Sequence, residues 1–480
     1  MKRFLALDLG AESGRAILGT LADGRLELEE LHRFLNEPVR LPAGLYWDTL
    51  RLFHEMRRGI HCAARERNLK LEGIGVDTWG VDFGLVGKDG ALLDNPRHYR
   101  DARNDGQMER TFAVVAKSEI FAESGLQFMQ INSLYQWHAM KQSGSPALEA
   151  ADTLLFMPDL FNYFLTGVRR AEITIASTSQ FYNPVRKCFA AGMLEKLGLR
   201  PGILPMIVLP GSFLGPALET DIPVYAVAGH DTASAVAAVP AKGKEDWCYI
   251  SSGTWSLMGV EVREPIINNA CQEFNFTNEI GVEGRVRLLK NIAGLWLLQE
   301  CRRAWAEQGH SYDYGQMTEM AAAAKPFTSI LDPDAFLSPG EMPAKIAEHC
   351  QSRGEKAPGT HGEYCRTILE SLALRYRQVL ENLEILLGRR LTRIHIVGGG
   401  SRNRLLNQFV ADATGRPVIA GPTEATAAGN ILVQAMGAGI IRNLEELREV
   451  VAASFPVTVS EPTPGANWDD AYARFARLRT

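Results

Sequence analysis

The sequence predicts an α/β protein built as two domains. Its 480 residues exceed what one hydrophobic core usually organises, since cores stop growing near about 250–300 residues. Short apolar, β-branched runs alternate with segments of helical period. A strand, turn, strand unit opens each half.

Residues 3–9 (RFLALDL) and 15–20 (RAILGT) read as two strands around the loop Gly10 to Gly14, a hairpin. A second strand, turn, strand copy is expected at 73–78 (GIGVDT) and 81–86 (VDFGLV), around Trp79-Gly80, with an amphipathic helix over 47–69 between the copies. From 100 to 200 the period is mainly helical, including MPDLFNYFLTG at 157–167, and short strands return at 203–209 and 222–228. The segment 224–239 runs from a strand through Gly229 into an Ala-rich helix, and the polar turn 240–245 that follows is read as the domain boundary. That gives domains at 1–240 and 241–480. Residues 247–260 (WCYISSGTWSLMGV) repeat the opening strand, turn, strand, so the second half restarts the same topology. A long helix at 361–387 then leads into RIHIVGGGS at 393–401.

Composition excludes several classes of function. Lys+Arg number 51 against Asp+Glu 56, a net charge of -5 with the signs interspersed, so no basic stripe offers itself to nucleic acid. No uninterrupted apolar stretch reaches about 18 residues, and Asp8 breaks the apolar N-terminal run too early for a signal peptide. The expected location is the cytoplasm, with no membrane partner. Seven cysteines, without a C-x-x-C pair, suit free thiols in a reducing compartment.

A phosphate chain is bound best where glycine turns let backbone N–H groups converge on it. Three such turns occur. In the first, Asp8 to Arg15, the glycines permit close approach, Ser13 and Arg15 add donors, and Asp8 can hold Mg²⁺ through water; the same residues also make an ordinary hairpin. The second is Ser251-Ser252-Gly253-Thr254. The third, Ile396 to Ser401, ends a strand and opens a helix near Asn403, although glycine triplets are often plain turns. Together, each at a strand end and spread over both halves, they suggest a two-domain nucleotide cleft. Phosphoryl transfer to a hydroxyl also needs a carboxylate within reach of the attacking O–H. Asp231, in Gly229-His230-Asp231-Thr232, can supply it, or can simply cap the helix that starts there.

The segments DLGAESGR, GHD, SSGTWS and GGGSRNRLLNQFVAD, in this order, resemble the FGGY carbohydrate kinase family over nearly the whole chain. Within that family, DTWGVDFGL (77–85), NPRHYRDAR (95–103), FMPDLFNYFLTG (156–167), EITIASTSQFYNP (172–184) and KNIAGLWLLQE (290–300) are most similar to the branch acting on L-rhamnulose. The resemblance implies two ribonuclease-H-like domains of the actin and heat-shock-chaperone ATPase type around a central ATP and sugar cleft. It implies ATP and Mg²⁺ as cofactors and transfer of the γ-phosphoryl to the sugar's 1-hydroxyl. Carried over by motif, Asp231 is the catalytic base, and Gly80, His230, Asp231, Thr232 and Asn291 are sugar contacts. Ala11, Glu12, Ser13, Gly14, Arg15, Thr254, Gln299 and Gly399 are nucleotide contacts, and Asp8 is the metal-side carboxylate. Ala11 departs from the hydroxyl residue many family members place there. Asp101 and Arg103 match an acidic and basic pair near the sugar, although a surface ion pair accounts for them as well. Asn291 and Gln299 lie eight residues apart, a little over two helical turns, which suggests one face of a helix, while Asn291 equally suits an N-cap. A kinase for L-fuculose or L-xylulose, or a non-catalytic sugar-sensing module on this fold, are the competing expectations. Monomer and dimer both stay open.

Overall fold

A computed structural model describes residues 1–241, 246–336, 340–463 and 467–478. The polar turn read as a domain boundary at 240–245 lies, from 242 onward, outside the described residues. The chain forms two compact units, Met1–Lys242 with Glu261–Leu289 and Ala425–Phe455, and Gly243–Val260 with Lys290–Glu424 and Pro456–Thr480.

The first unit is organised on strands β1 (Lys2–Leu9), β2 (Ser13–Ala22), β3 (Arg25–Leu35), β4 (Gly73–Thr78), β5 (Ser212–Pro216) and β6 (Pro223–Ala226), in the sheet order β5-β6-β4-β1-β2-β3. β1 is central because Phe4, Leu5, Ala6, Leu7 and Leu9 are all fully buried, the continuous apolar run of a strand covered on both faces. It pairs antiparallel with β2 and parallel with β4. The helix Thr49–His61 supplies the cover on one side, with Leu52, Met56 and Ile60 buried at helical spacing and Asp48 capping its start through the Arg51 N–H. A π-helical turn, Cys62–Glu66, carries it further.

The residues expected as a second hairpin behave differently. β4 forms as read, but its partners are β1 and β6, while Phe83–Val86 pairs antiparallel with Thr153–Phe156. The tight bend at 80–82, with the Asp82 N–H on the Gly80 carbonyl and Val81 at φ 69°, does not return the chain along β4, and Phe83–Val86 pairs instead with a strand that lies later in the chain. The helix Ala425–Gly437 also belongs to the first unit. Its small residues explain how: a Cβ on Gly429 would overlap the Ser234 carbonyl, and one on Gly437 the Gly211 carbonyl, so only glycine permits these approaches. Asn430 and Gln434, on the same helix, donate to Asp77 and to the Leu5 carbonyl.

The second unit restarts the pattern with β7 (Trp247–Ser252) and β8 (Trp255–Val262), followed much later by β9 (Arg393–Val397), β10 (Val418–Ala420) and β11 (Thr458–Ser460), in the order β8-β7-β9-β10-β11. β7 pairs antiparallel with β8 and parallel with β9, the arrangement that β1 has with β2 and β4. The helix His361–Leu387 runs between them, started by the Thr360 side chain accepting from the Glu363 N–H and ended by Gly388 at φ 64°. No described helix is long and apolar enough to cross a membrane.

Candidate active site

In the first unit, functional side chains collect at the C-terminal ends of the parallel strands β1 and β4. Asp8 and Asp77 are register partners there, and Thr78 bridges to His230. Arg15, opposite Asp8 on β2, donates to Asp8 Oδ2 at 2.5 Å. The turn Gly10 to Ser13 is closed by the Gly10 N–H on the Ser13 carbonyl, and Asn36 anchors it by donating to the Gly10 and Glu12 carbonyls. Gly14 is required because a Cβ would overlap the Phe34 ring. Asp77 is fully buried, and burial, reinforced by the Asp8 carboxylate, holds its carboxyl well above the usual range despite a hydrogen bond from Asn430. Its Oδ1 has no hydrogen-bond partner among the described residues.

Asp231 opens the helix Asp231–Ala237, and the N-cap position is held by His230. Asp231 therefore stands at the first helical position rather than at the cap itself. Its hydrogen bonds fall on Oδ1, from the Thr232 N–H at 2.5 Å and hydroxyl at 3.1 Å, and its side chain stays 30% exposed. Burial of the carboxyl, with Asp8 adding to it, raises its pKa against the opposing pull of His230. An accessible carboxylate with one oxygen tied back and a raised proton affinity is the form a general base takes.

The GHD turn is held from both sides. Glu172 Oε2 accepts from the Gly229 N–H at 2.9 Å, and the Thr174 hydroxyl accepts from the His230 N–H at 3.2 Å. Burial pushes the Glu172 carboxyl up to about 7, although Thr174, Gly229 and Ile175 donate to it. On the other flank Glu279 and Arg287, from the strands Thr277–Ile280 and Val286–Ala293, meet His230. Arg287 Nη2 donates to His230 Nδ1 at 3.2 Å, and Glu279 Oε2 lies 3.0 Å from Arg287 and 3.2 Å from His230 Nδ1. Burial would raise Glu279, but the Arg287 guanidinium holds it below the usual range. Neither residue was named by the sequence reading. The available signal was a charged residue, Arg287, alternating with Val286 and Leu288 in an otherwise buried strand.

Gly80 faces His230: a Cβ there would stand 3.4 Å from His230 Nε2 and 3.5 Å from Thr178. The next residue, Val81, has φ 69°, a costly conformation for a β-branched side chain. It is held by its N–H on Thr178 and by Ser133 donating to its carbonyl. Asp82 anchors the segment by accepting from Trp47, Trp79, Tyr99 and Gln136; burial brings its carboxyl to about 6. Asp101 is also buried rather than at the surface, accepting from the Leu45 N–H with Arg97 and Arg103 beside it.

In the second unit the two remaining glycine turns lie against each other. Ser251 and Val397 are register partners on β7 and β9. Gly398, at φ 84°, and Gly400 both back onto Ser252, whereas Gly399 is exposed with open space where a Cβ would stand. Asn403 caps the helix Arg404–Thr414, near where the sequence placed its start. The Gly253 and Thr254 carbonyls accept from the N–H groups of Leu295, Gly294 and Trp296, which docks the second turn on the helix Trp296–Glu307 that carries Gln299. The Gln299 Oε1 is buried without a hydrogen-bond partner among the described residues. Asn291 does not share that helix. It lies in the strand Val286–Ala293, so neither the single-face nor the N-cap reading holds; Gly294, pressed on Trp255 and Ser256, breaks the run between strand and helix.

The model of the FGGY family of carbohydrate kinases, N-terminal domain, matches residues 3–236, and its C-terminal domain model matches residues 248–438. The chain belongs to this family. It is 45% identical over 484 residues to a rhamnulokinase of Bacteroides thetaiotaomicron, covering 99% of each chain, and 39% identical to one of Oceanobacillus iheyensis, covering 94% and 96%. Its fold is that of a ligand-bound xylulose kinase from Lactobacillus acidophilus (TM-score 0.81, 15% identity, 100% and 98% covered) and of Plasmodium falciparum glycerol kinase with ADP (TM-score 0.76, 15% identity, 100% and 97% covered). The chain is thus a two-domain sugar kinase of the actin-like ATPase type.

Proposed function

We propose that this kinase transfers the γ-phosphoryl group of ATP to the 1-hydroxyl of L-rhamnulose, giving L-rhamnulose 1-phosphate and ADP, in the cytoplasm and in L-rhamnose catabolism. The near full-length likeness to rhamnulokinases supports the sugar. The observation that supports the chemistry is Asp231, with Oδ1 bound to Thr232 and the side chain 30% exposed. In the proposed step Asp231 accepts the proton of the 1-hydroxyl as its oxygen bonds to the γ-phosphorus and the bond from that phosphorus to the bridging β-phosphate oxygen breaks. Gly80 leaves room for the sugar beside His230, whose ring contacts it. Thr232 fixes the base, and Asn291 is assigned to the sugar. Residues 1–240 are assigned the sugar, the first phosphate turn and the base, and residues 241–480 the nucleotide.

Ala11 to Arg15, Thr254, Gln299 and Gly399 are assigned to ATP. Gly399 fits a close backbone approach because nothing occupies the space above its Cα, and the orphan Gln299 Oε1 suits a nucleotide donor. Among the described residues no cluster of three His, Cys, Asp or Glu side chains is placed to hold a metal ion directly, and Asp8 already pairs with Arg15, so a divalent cation, Mg²⁺, is assigned to Asp8 through water alone. A metal held there would supply charge neutralisation on the phosphate oxygens. Measuring ADP release with L-rhamnulose, L-fuculose and L-xylulose tests the assignment; a clear preference for either of the latter two overturns it.

A further inference from the structure

We propose that Arg287 is a positioning residue that fixes His230 as the Nε2–H tautomer, so that the ring presents a hydrogen-bond donor to a sugar oxygen, with Glu279 neutralising the guanidinium. The inference deepens the reading of His230 as a sugar contact and rests on it for the identity of the acceptor. An imidazole nitrogen that accepts a hydrogen bond carries no proton, and the proton of the neutral ring must then sit on the other nitrogen. Arg287 is fully buried, carries donors and no acceptor, and aims Nη2 at His230 Nδ1 at 3.2 Å with hydrogen-bond geometry. Glu279 Oε2 is equally close to Nδ1, at 3.2 Å, but forms an ion pair with Arg287 at 3.0 Å and meets no donor among the described residues, the ring included, at a hydrogen-bonding angle. Nδ1 is therefore the acceptor. Nε2, 3.6 Å from Asp231 Oδ1 and facing the space above Gly80, carries the proton. Arg287 also donates to the Ile280 carbonyl through Nε and Nη2, which locks the fork to its own hairpin. The guanidinium cannot turn away.

The arrangement divides labour in the site. Asp231 accepts a proton, so an adjacent sugar oxygen needs a donor, and a neutral Nε2–H supplies one without losing its proton to the base. Exchanging the tautomer would present a lone pair to a second acceptor and cost sugar affinity, about tenfold or more for a buried hydrogen bond turned repulsive.

The test is the ¹⁵N–¹H spectrum of the histidine rings in the full-length protein at about pH 8, with the His230 signals assigned by their absence in His230→Gln. The wild-type ring is expected to show a bare Nδ1 and a protonated Nε2. A proton on Nδ1, alone or together with one on Nε2, overturns the proposal, and this reading needs no variant at position 287. Arg287→Met leaves Glu279 as the neighbour of Nδ1, so the ring is expected to switch to Nδ1–H while KM for the sugar rises about tenfold and kcat changes less. An unchanged tautomer in that variant also overturns the proposal. Turnover of a different ketose would change the sugar assignment and leave the tautomer result standing.

Discussion

Replacing Asp231 by asparagine separates the chemistry from the fold. The two side chains have the same shape, and the asparagine carbonyl oxygen can take over the bonds that Oδ1 accepts from the Thr232 N–H and hydroxyl. What the amide cannot do is accept a proton from the attacking hydroxyl. A positioned general base contributes about 10²–10⁴-fold, which at about 1.36 kcal/mol per tenfold corresponds to about 2.7–5.4 kcal/mol of activation free energy. The stability effect has the opposite sign. In the folded protein the Asp231 carboxyl is held above its ordinary range, by burial first and by Asp8 second. The folded state therefore binds its proton more tightly than the unfolded chain, and stability is lost as pH rises from the ordinary value through the raised one. At neutral pH the amide removes that cost. Asp231→Asn is expected to lose two to four decades of kcat in a coupled ADP-release assay, to keep its sugar and ATP affinities by calorimetry, and to melt at the same or a higher temperature. Turnover within a few-fold of wild type would refute the base assignment, and a large drop in melting temperature would refute the electrostatic argument.

Gly399→Val should weaken ATP binding without lowering the melting temperature, because nothing in the protein meets a Cβ there, whereas Gly400→Ala should destabilise, since its Cβ would overlap the Ser252 side chain; equal thermal effects would contradict this. Gly80→Ala should raise KM for the sugar by about 10- to 100-fold with little change in melting, as its methyl stands at ordinary contact distance from His230 and Thr178; an unchanged KM removes Gly80 from the sugar site. Glu172 is held up to about 7, so its ionisation costs stability as pH rises from the ordinary carboxylate range to about 7. Glu172→Gln should flatten the fall in melting temperature over that window, and an identical slope would show that the carboxyl ionises freely.

What the sequence disclosed follows the range of the interactions concerned. The helix 361–387 was legible to the residue because its ends are written locally, Thr360 as the cap and Gly388 as the left-handed stop. The strands β1, β2 and β7 were legible as apolar runs. The copy expected at 73–86 failed on pairing, since the pattern of 81–86 does not encode that Thr153–Phe156 is its partner. Asn291 and Gln299 failed for a related reason: eight residues fit a helix as well as they fit a strand, a tight glycine and a helix start, and the deciding contact, Gly294 on Trp255 and Ser256, lies about 40 positions away.

The GHD turn shows why the remainder of the site resisted local reading. Three residues supply the atoms, but little in them fixes where those atoms point. The Gly229 N–H is held by Glu172 and the His230 N–H by Thr174, 57 and 56 positions earlier, while the His230 ring meets Arg287 57 positions later. Capping and catalysis therefore looked alike in the sequence, because an aspartate at a helix start serves either purpose until its flanks are known. In the folded chain His230 occupies the cap, Thr232 donates to one oxygen of Asp231, and the Asp231 side chain keeps 30% exposure. Substitutions at Asp231 should then act on the chemical step, and substitutions at Glu172 or Arg287 on where the step can occur. Those flanks are carried by strands and helices remote in the chain, so the orientation of the turn is a property of the folded unit rather than of the motif.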